Sequence, residues 1–575
     1  MKTRLVILLF IAAITTGAYH FLDLNLGALI HGVKKGKHLS REKSFEDLPQ
    51  ISFPMLDQTR PRDLIDMDLE FPESLKELDG RRVSLVGFMA PFDDLKDMRR
   101  CMIVPSYVGC TFCSPPNLSQ VVFVTQGGKD ETEGNFPFIE EASKVSGTLR
   151  ISLAESRHEG QKHGFLYSLE NATISPHDGE GPVRAPGHGT PGNHTKGKES
   201  DPLPEIAWSE LIHEISEILG QEPRHPIRLE PVTPERFEMI IRSDLETDFP
   251  EAGQARAFSL LGFFPEESGW VDTLAQIQLK RRLALANEQG SVIYLLNTVP
   301  ENHPYIRLSI VGEIAEAIAR QTFPLKRKQS VAEGRTRGND DSRRADMALR
   351  QGLNALAIYR YARSRGISTT GRPPDELLKQ GQIPPNVPGG LYHWFDLPRE
   401  LGPFLVDFLV GSTGPLAAIE SAFEQPPSTT MEFFRPLWYQ DASLWRPDPV
   451  VRDFADGIMD TSPAFTNVLG VGGLISWLSQ WYGVSEARAL AGHWVGDRWA
   501  LWEFSDNDSI LLLETRWHDE GAARRFQEAI PYHPHQRVLR REKGSNRVRL
   551  FRGSSESALT NLGPEERAAP QQGTP

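Results

Sequence analysis

The sequence predicts a multidomain α+β protein, with a small β domain followed by a mainly helical one. Three observations predict it. First, a chain of 575 residues has room for about three or four structural units. Second, the texture changes along the chain: residues 61–176 hold short β-branched and aromatic runs between turn residues, and from 205 apolar residues recur at helical spacing. Third, residues 177–204 between them are rich in Gly, Pro and His with almost no large apolar side chain, so they read as a linker that buries no core.

Taken in order, residues 1–22 open with Lys2 and Arg4 and continue from Leu5 to Leu22 without a charge. This pattern reads as a secretory signal or an uncleaved membrane anchor, and either would export the rest of the chain. Lys34, Lys35 and Lys37 follow the apolar run and oppose the orientation that the basic start favours. Residues 23–60 read as a polar, weakly structured lead. Strands are expected over 81–92, 101–105, 119–126, 147–152 and 164–174, a set that fits a small barrel or sandwich. Helices are expected over 205–220, 234–246, 251–262, 269–288, 304–322, 341–364, 398–422, 465–481, 484–491 and 520–530. A late strand pair is expected at 498–504 and 509–517, within a helical domain running over 205–552, and residues 553–575 read as a disordered tail. Trp394, Trp438, Trp477, Trp481, Trp494, Trp499, Trp502 and Trp517 make the last part aromatic-rich and read mainly as core, with the lining of a cleft as the alternative for some.

Composition narrows the function classes. Hydrophobic residues are 39% and charged residues 24%, a globular balance. A net charge of -13 with no basic stripe argues against nucleic acid as the partner. Three cysteines exclude a disulfide-rich scaffold. Cys110 and Cys113 form a C-x-x-C pair, with Cys101 nearby. In an exported protein the pair can be a disulfide, a redox couple or a soft-metal site, with Cys101 a third ligand and His177, His188 or His194 a fourth. One C-x-x-C pair is a weak zinc signal, because a four-ligand site usually needs a second pair.

Two resemblances add to this reading. LDGRRVSLVGFMAPFDD, CMIVPSYVGCTFCSPPNLSQVVFV and GFLYSLENATI, within about 60–176, resemble an uncharacterised family of bacterial exported proteins. That resemblance implies an OB-like β-barrel, an envelope location and a possible ABC-type transporter partner. LSIVGEIAEAIARQTFPL (308–325) resembles the active-site helix of an exported zinc-peptidase-like family that reads H-E-L-T-H there. Segments 340–362, 425–436, 492–504 and 515–526 keep that family's order, so the resemblance spans about 225–535 and implies a zincin-like domain.

Its chemistry is degenerate. A zincin helix binds zinc through two histidines at i and i+4, and the intervening glutamate activates water. Gly312 and Glu316 stand at the two histidine positions, Glu313 at the base position, and Gln351 where the downstream glutamate ligand belongs. Arg435 replaces a histidine of the P-P-x-S-T segment. No catalytic residue and no cofactor is expected here, apart from the open metal alternative on Cys110 and Cys113. Glu313 and Glu316 read either as the solvated face of an amphipathic helix with Ile310, Ile314 and Ile318 on its apolar side, or as a retained polar pocket. The expected function is a membrane-anchored or secreted envelope protein that binds or scaffolds. The alternatives are a metallopeptidase with rearranged ligands, or a metal or redox module on the cysteine pair.

Overall fold

A computed structural model describes residues 48–92, 98–105, 118–126, 136–139, 142–158, 161–177, 206–248, 252–263, 269–298, 302–323, 339–365, 367, 387, 389–410, 416–441, 444, 459, 461–504, 508–540 and 545–562. The apolar run 5–22, the pair Cys110–Cys113 and nearly all of the linker, including His188 and His194, lie outside them. Among the described residues no helix is long and apolar enough to cross a membrane.

The fold starts earlier than the sequence suggests. Residues from 48 onward, expected as part of a weakly structured lead, are already ordered. Ile51 N–H donates to Ser84 O at 2.9 Å and Ser84 N–H to Pro49 O at 2.9 Å, and helix α1 (Phe53–Leu56) buries Phe53 and Leu56. The apolar residues Ile51, Phe53 and Leu56 join the first core, which is why this stretch cannot remain a free lead. A hairpin of β1 (Arg60–Asp63) and β2 (Asp68–Glu70) and helix α2 (Glu73–Lys76) follow. Strands β3 (Arg82–Pro91), β4 (Arg100–Val104), β5 (Val122–Thr125), β6 (Ser143–His158) and β7 (Gln161–Pro176) then close a five-stranded barrel in the order β3-β4-β5-β7-β6. Only β5 and β7 pair in parallel. Alternation divides the strands between two cores: Val83, Leu85, Met89, Cys101, Ile103, Val122 and Val124 meet Tyr167 in one, and Phe88, Ala90, Phe92, Met102, Phe123 and Phe165 form the other. Cys101 is thus a buried core residue.

The second part is helical with two small sheets. It comprises α3 (Trp208–Leu219), β8 (Arg228–Val232), α4 (Pro234–Asp248), α5 (Ala252–Leu261), α6 (Trp270–Arg281), β9 (Ala284–Ala286), β10 (Val292–Leu296), α7 (Pro304–Thr322) and α8 (Asp340–Arg365). The chain continues through α9 (Gly389–Val410), α10 (Ala417–Glu424), α11 (Met431–Phe434), α12 (Pro436–Gln440), β11 (Phe465–Asn467), α13 (Gly470–Tyr482) and α14 (Val484–Ala491). It ends with β12 (Trp494–Glu503), β13 (Ser509–Trp517), α15 (Glu520–Ala529), β14 (Gln536–Arg540) and β15 (Arg547–Gly553). The small sheet runs β8-β10-β9, with β8 and β10 parallel, and α7 lies against β9 and β10. The late strand pair is the centre of an antiparallel sheet in the order β11-β12-β13-β15-β14. Helices α8 and α9 cross at two glycines. A Cβ on Gly352 would lie 2.3 Å from Gly402 O, and one on Gly402 would lie 2.2 Å from Ala348 O.

Two further expectations are corrected. Residues 553–562 are not a disordered tail. Gly553 ends β15, and Ala558, Leu559 and Leu562 pack on the outer face of the late sheet with Trp502 and Phe551. The helix expected at 398–422 is α9 and α10, and α9 begins at Gly389 and carries Pro398 and Pro403 inside it. Of the eight named tryptophans, Trp394, Trp477, Trp494, Trp499, Trp502 and Trp517 are buried, Trp438 is half-buried, and Trp481 is exposed.

The two parts touch through the β1–β2 hairpin. Leu64 N–H donates to Phe434 O at 2.7 Å, and Arg435 reaches Asp63 at 3.3 Å and Asp66 at 3.0 Å. Arg435 is therefore an anchor for the hairpin, with its guanidinium 4.6 Å from the Trp438 ring centre.

Candidate functional site

The glutamates of the degenerate motif sit in the middle of α7. Pro304 starts the helix after His303, which stands at its N-cap and is buried. Ile306, Ile310, Val311, Ile314, Ala315, Ala317 and Ile318 are all buried, so the helix is covered on nearly every side. A solvated glutamate face is not what forms: Glu316 is 5% exposed and Glu313 is half-buried. The period misled because α7 is enclosed by the small sheet on one side and by α3 and α8 on the other.

Helices α7 and α8 run antiparallel, and the register brings two pairs together. A Cβ on Gly312 would meet Ile358 Cδ1 at 3.0 Å, and Glu316 Oε2 accepts from Asn354 Nδ2 at 3.0 Å. Gly312 and Glu316 thus both face α8, where they meet an isoleucine and an amide. Gln351 is half-buried and bonds neither glutamate. Asn354, one helical turn further on, holds the place opposite Glu316.

Glu316 is fully engaged. Its Oε1 accepts from Arg320 Nε at 2.8 Å. Burial pushes the carboxyl up, but the Arg320 and Arg350 guanidinium charges outweigh it and hold it at about 2. Arg350 lies 5.6 Å from the Phe423 ring centre, and its Nη1 is buried without a hydrogen-bond partner. Glu313 turns the other way. Its Oε2 accepts the Ala286 N–H of β9 at 2.8 Å, and Arg282 stands 3.4 Å from Oε1. Burial pushes its carboxyl above the usual range, and Arg282 opposes that in part. Gln321, one turn beyond Ala317, clamps the small sheet. It donates to Gly290 O at 2.7 Å and accepts His225 N–H at 2.8 Å.

A catalytic zinc needs about three strong ligands and an open position. Gly312 offers no donor, Glu316 is held by a guanidinium and an amide, and Gln351 lies outside the contact. Three guanidinium groups, of Arg282, Arg320 and Arg350, also act on the two carboxylates. A divalent cation would have to displace or repel them. The residues present do not fit a zincin metal. Among the described residues no group of three or more His, Cys, Asp or Glu is placed to hold a metal ion. His213 lies on the exposed side of α3 beside Glu217 and Glu222.

Residues of segments 340–362, 425–436 and 492–504 meet elsewhere, at the start of α13. Asp341 of α8 accepts the Thr430 N–H at 2.9 Å and the Thr430 hydroxyl. Asp497 of β12 accepts the N–H groups of Leu469 and Gly470 at 2.8 Å each and Trp494 Nε1 at 3.0 Å. Burial pushes Asp341 up to about 6 and Asp497 up to about 7, and the Asp341 charge raises Asp497 further. Sequence reasoning did not find this cluster, because its members come from segments up to 156 positions apart and each reads singly as a cap or turn residue.

Comparison with known families fits the first part of this architecture. Residues 53–176 match the family model described as "Protein of unknown function (DUF3299)". A domain of that uncharacterised family therefore spans the closed barrel and its lead, and the match does not extend into the helical part. No curated protein and no solved structure matches the chain.

Proposed function

We propose that the chain is a non-catalytic binding or scaffold protein of the bacterial cell envelope, in which a barrel of the DUF3299 type is joined to a degenerate zincin-like domain. One observation carries the non-catalytic part: Glu316, at a metal-ligand position, is instead the buried counter-ion of Arg320 with Asn354 as its second partner. The order of five sequence segments supports the zincin-like reading, and the antiparallel edge strand β9 above the motif helix is consistent with it. The uncharged run 5–22 supports the envelope location. A zinc-peptidase mechanism needs a carboxylate free to activate a metal-bound water, and Glu313 Oε2 is taken up by the Ala286 N–H. The test is an assay of the soluble chain on a mixed peptide library with and without added zinc. The proposal expects no cleavage in either condition, and zinc-dependent cleavage that is abolished by Glu313→Gln would overturn it.

A further inference from the structure

The barrel and the helical part have separate apolar cores, and one turn crosses between them. Among the described residues before Ile206, Leu64 and Ile65 alone belong to the core of the helical part. Met67, Leu69 and Phe71 of the same hairpin pack on the barrel core. Leu64 is 2% exposed although it stands at a hairpin tip, where an apolar side chain is ordinarily left to solvent. Its cover comes from the helical part.

The turn holds its own shape. Asp63 Oδ1 accepts the Ile65 N–H at 2.8 Å and the Asp66 N–H at 2.9 Å. Met67 takes a φ of 54°, the left-handed conformation that turns the chain back into β2. Below it, Arg60 and Glu70 are register partners. A segment already in its bound shape loses little conformational freedom on docking.

The helical part meets this turn through backbone, shape and charge together. Phe434 O accepts the Leu64 N–H at 2.7 Å. Gly492, just after α14, makes room for Ile65: a Cβ there would lie 2.2 Å from Ile65 Cγ2. Arg435 reaches Asp63 Oδ2 with Nη1 at 3.3 Å and Asp66 Oδ2 with Nη2 at 3.0 Å. One guanidinium thus holds two carboxylates at i and i+3 that bracket two branched apolar side chains. A neutral or basic turn would leave the half-buried Arg435 without its counter-charge.

We propose that this surface of the helical part is a docking site for an acidic turn of the form Asp-Leu-Ile-Asp, filled by the chain's own hairpin until a partner protein presenting such a turn takes its place. The hairpin holds the site because tethering gives it an effective concentration of about a millimolar or more. Displacement would uncover Leu64 and loosen the barrel from the helical part.

Hydrogen exchange of residues 23–575, with and without a head-to-tail cyclic peptide of residues 60–70, tests this. At several millimolar peptide the Leu64 amide of the chain should exchange at least about fivefold faster, with the β3 amides of the barrel unchanged. The same peptide carrying Asp63→Asn and Asp66→Asn should have no such effect. Leu64→Asp in the chain should vacate the site, and calorimetry should then show one peptide bound per chain, about tenfold or more tighter than to wild type. Adding Arg435→Ala to that variant should weaken binding about tenfold or more. No acceleration at Leu64 in wild type would overturn the proposal, as would equal action of the Asn peptide. Equal peptide affinity in wild type and a folded Leu64→Asp chain would overturn it too. The exchange measurement needs no variant, so it decides even where Leu64→Asp does not fold. Neither Glu313 nor Glu316 enters this contact, so the result leaves the non-catalytic reading of α7 untouched.

Discussion

Replacing Glu316 with Gln separates a structural counter-ion from a ligand. The substitution keeps the shape and an acceptor for Asn354 but removes the charge that neutralises Arg320 and Arg350. The carboxyl is held at about 2 against an ordinary 4.5. At about 1.4 kcal/mol per pH unit, that depression corresponds to roughly 3 kcal/mol favouring the folded state. Little is lost to solvent screening, since the side chain is 7% exposed. The folded-state value lies below the unfolded one, so this stability is present above about 4.5 and is lost as pH falls toward about 2. Urea unfolding followed by tryptophan fluorescence should show E316Q less stable than wild type by roughly 3 kcal/mol at neutral pH. The gap should narrow as pH drops below about 4.5. Equal stability at neutral pH, or a gap that stays constant down the pH range, would refute the counter-ion argument.

Three other outcomes follow from the packing and the buried acids. Gly352→Ala should destabilise by about 1–3 kcal/mol, because its methyl meets Gly402 O at the α8–α9 crossing, whereas Gly312→Ala, facing only the flexible end of Ile358, should be neutral or stabilise by up to about 1 kcal/mol; thermal melting compares the two. Asp341 and Asp497 have folded-state values raised to about 6 and about 7, so they favour the fold at low pH, and that contribution fades as pH rises through these values. The melting temperature should therefore fall between about pH 4 and pH 7, and Asp341→Asn should flatten that slope. Arg435→Ala should release the β1–β2 hairpin, seen as faster hydrogen exchange at the Leu64 amide with the barrel amides unchanged.

Much of the fold was legible because local signals agreed with tertiary packing. The expected helix 304–322 is α7 to the residue, with Pro304 marking its start and Phe323 following its last turn. The five barrel strands were visible as apolar runs between turns, although β6 and β7 extend well beyond the runs that announced them. The small sheet was missed: β9 is three residues long and β8 carries Glu230 and Pro231, so neither shows a strand period of its own. Helix α9 was placed late because Gly389, Gly390, Pro398 and Pro403 look like breaks, yet Leu391, Tyr392, Trp394, Leu397 and Leu401 bury enough surface to hold it.

The candidate site was half legible. The identities of Gly312, Glu316 and Gln351 alone suggested the proposed loss of metal ligands. One signal pointed to the replacement: Arg320 follows Glu316 at i+4, a spacing at which helical charges pair. The roles of Asn354 and Arg350 depend on how α7 and α8 are set against each other, which no local pattern carries. The same is true of Arg435, whose partners Asp63 and Asp66 lie in another part of the chain.

The central proposal is that the Glu316–Arg320 ion pair of α7 stands where a zincin-like helix would hold a metal. Mass-spectrometric metal analysis of residues 23–575, purified from zinc-supplemented medium, tests it most directly. The account predicts zinc far below one atom per chain, unchanged in Glu313→Gln and Glu316→Gln. Close to one zinc per chain in wild type, lost in either variant, would contradict it.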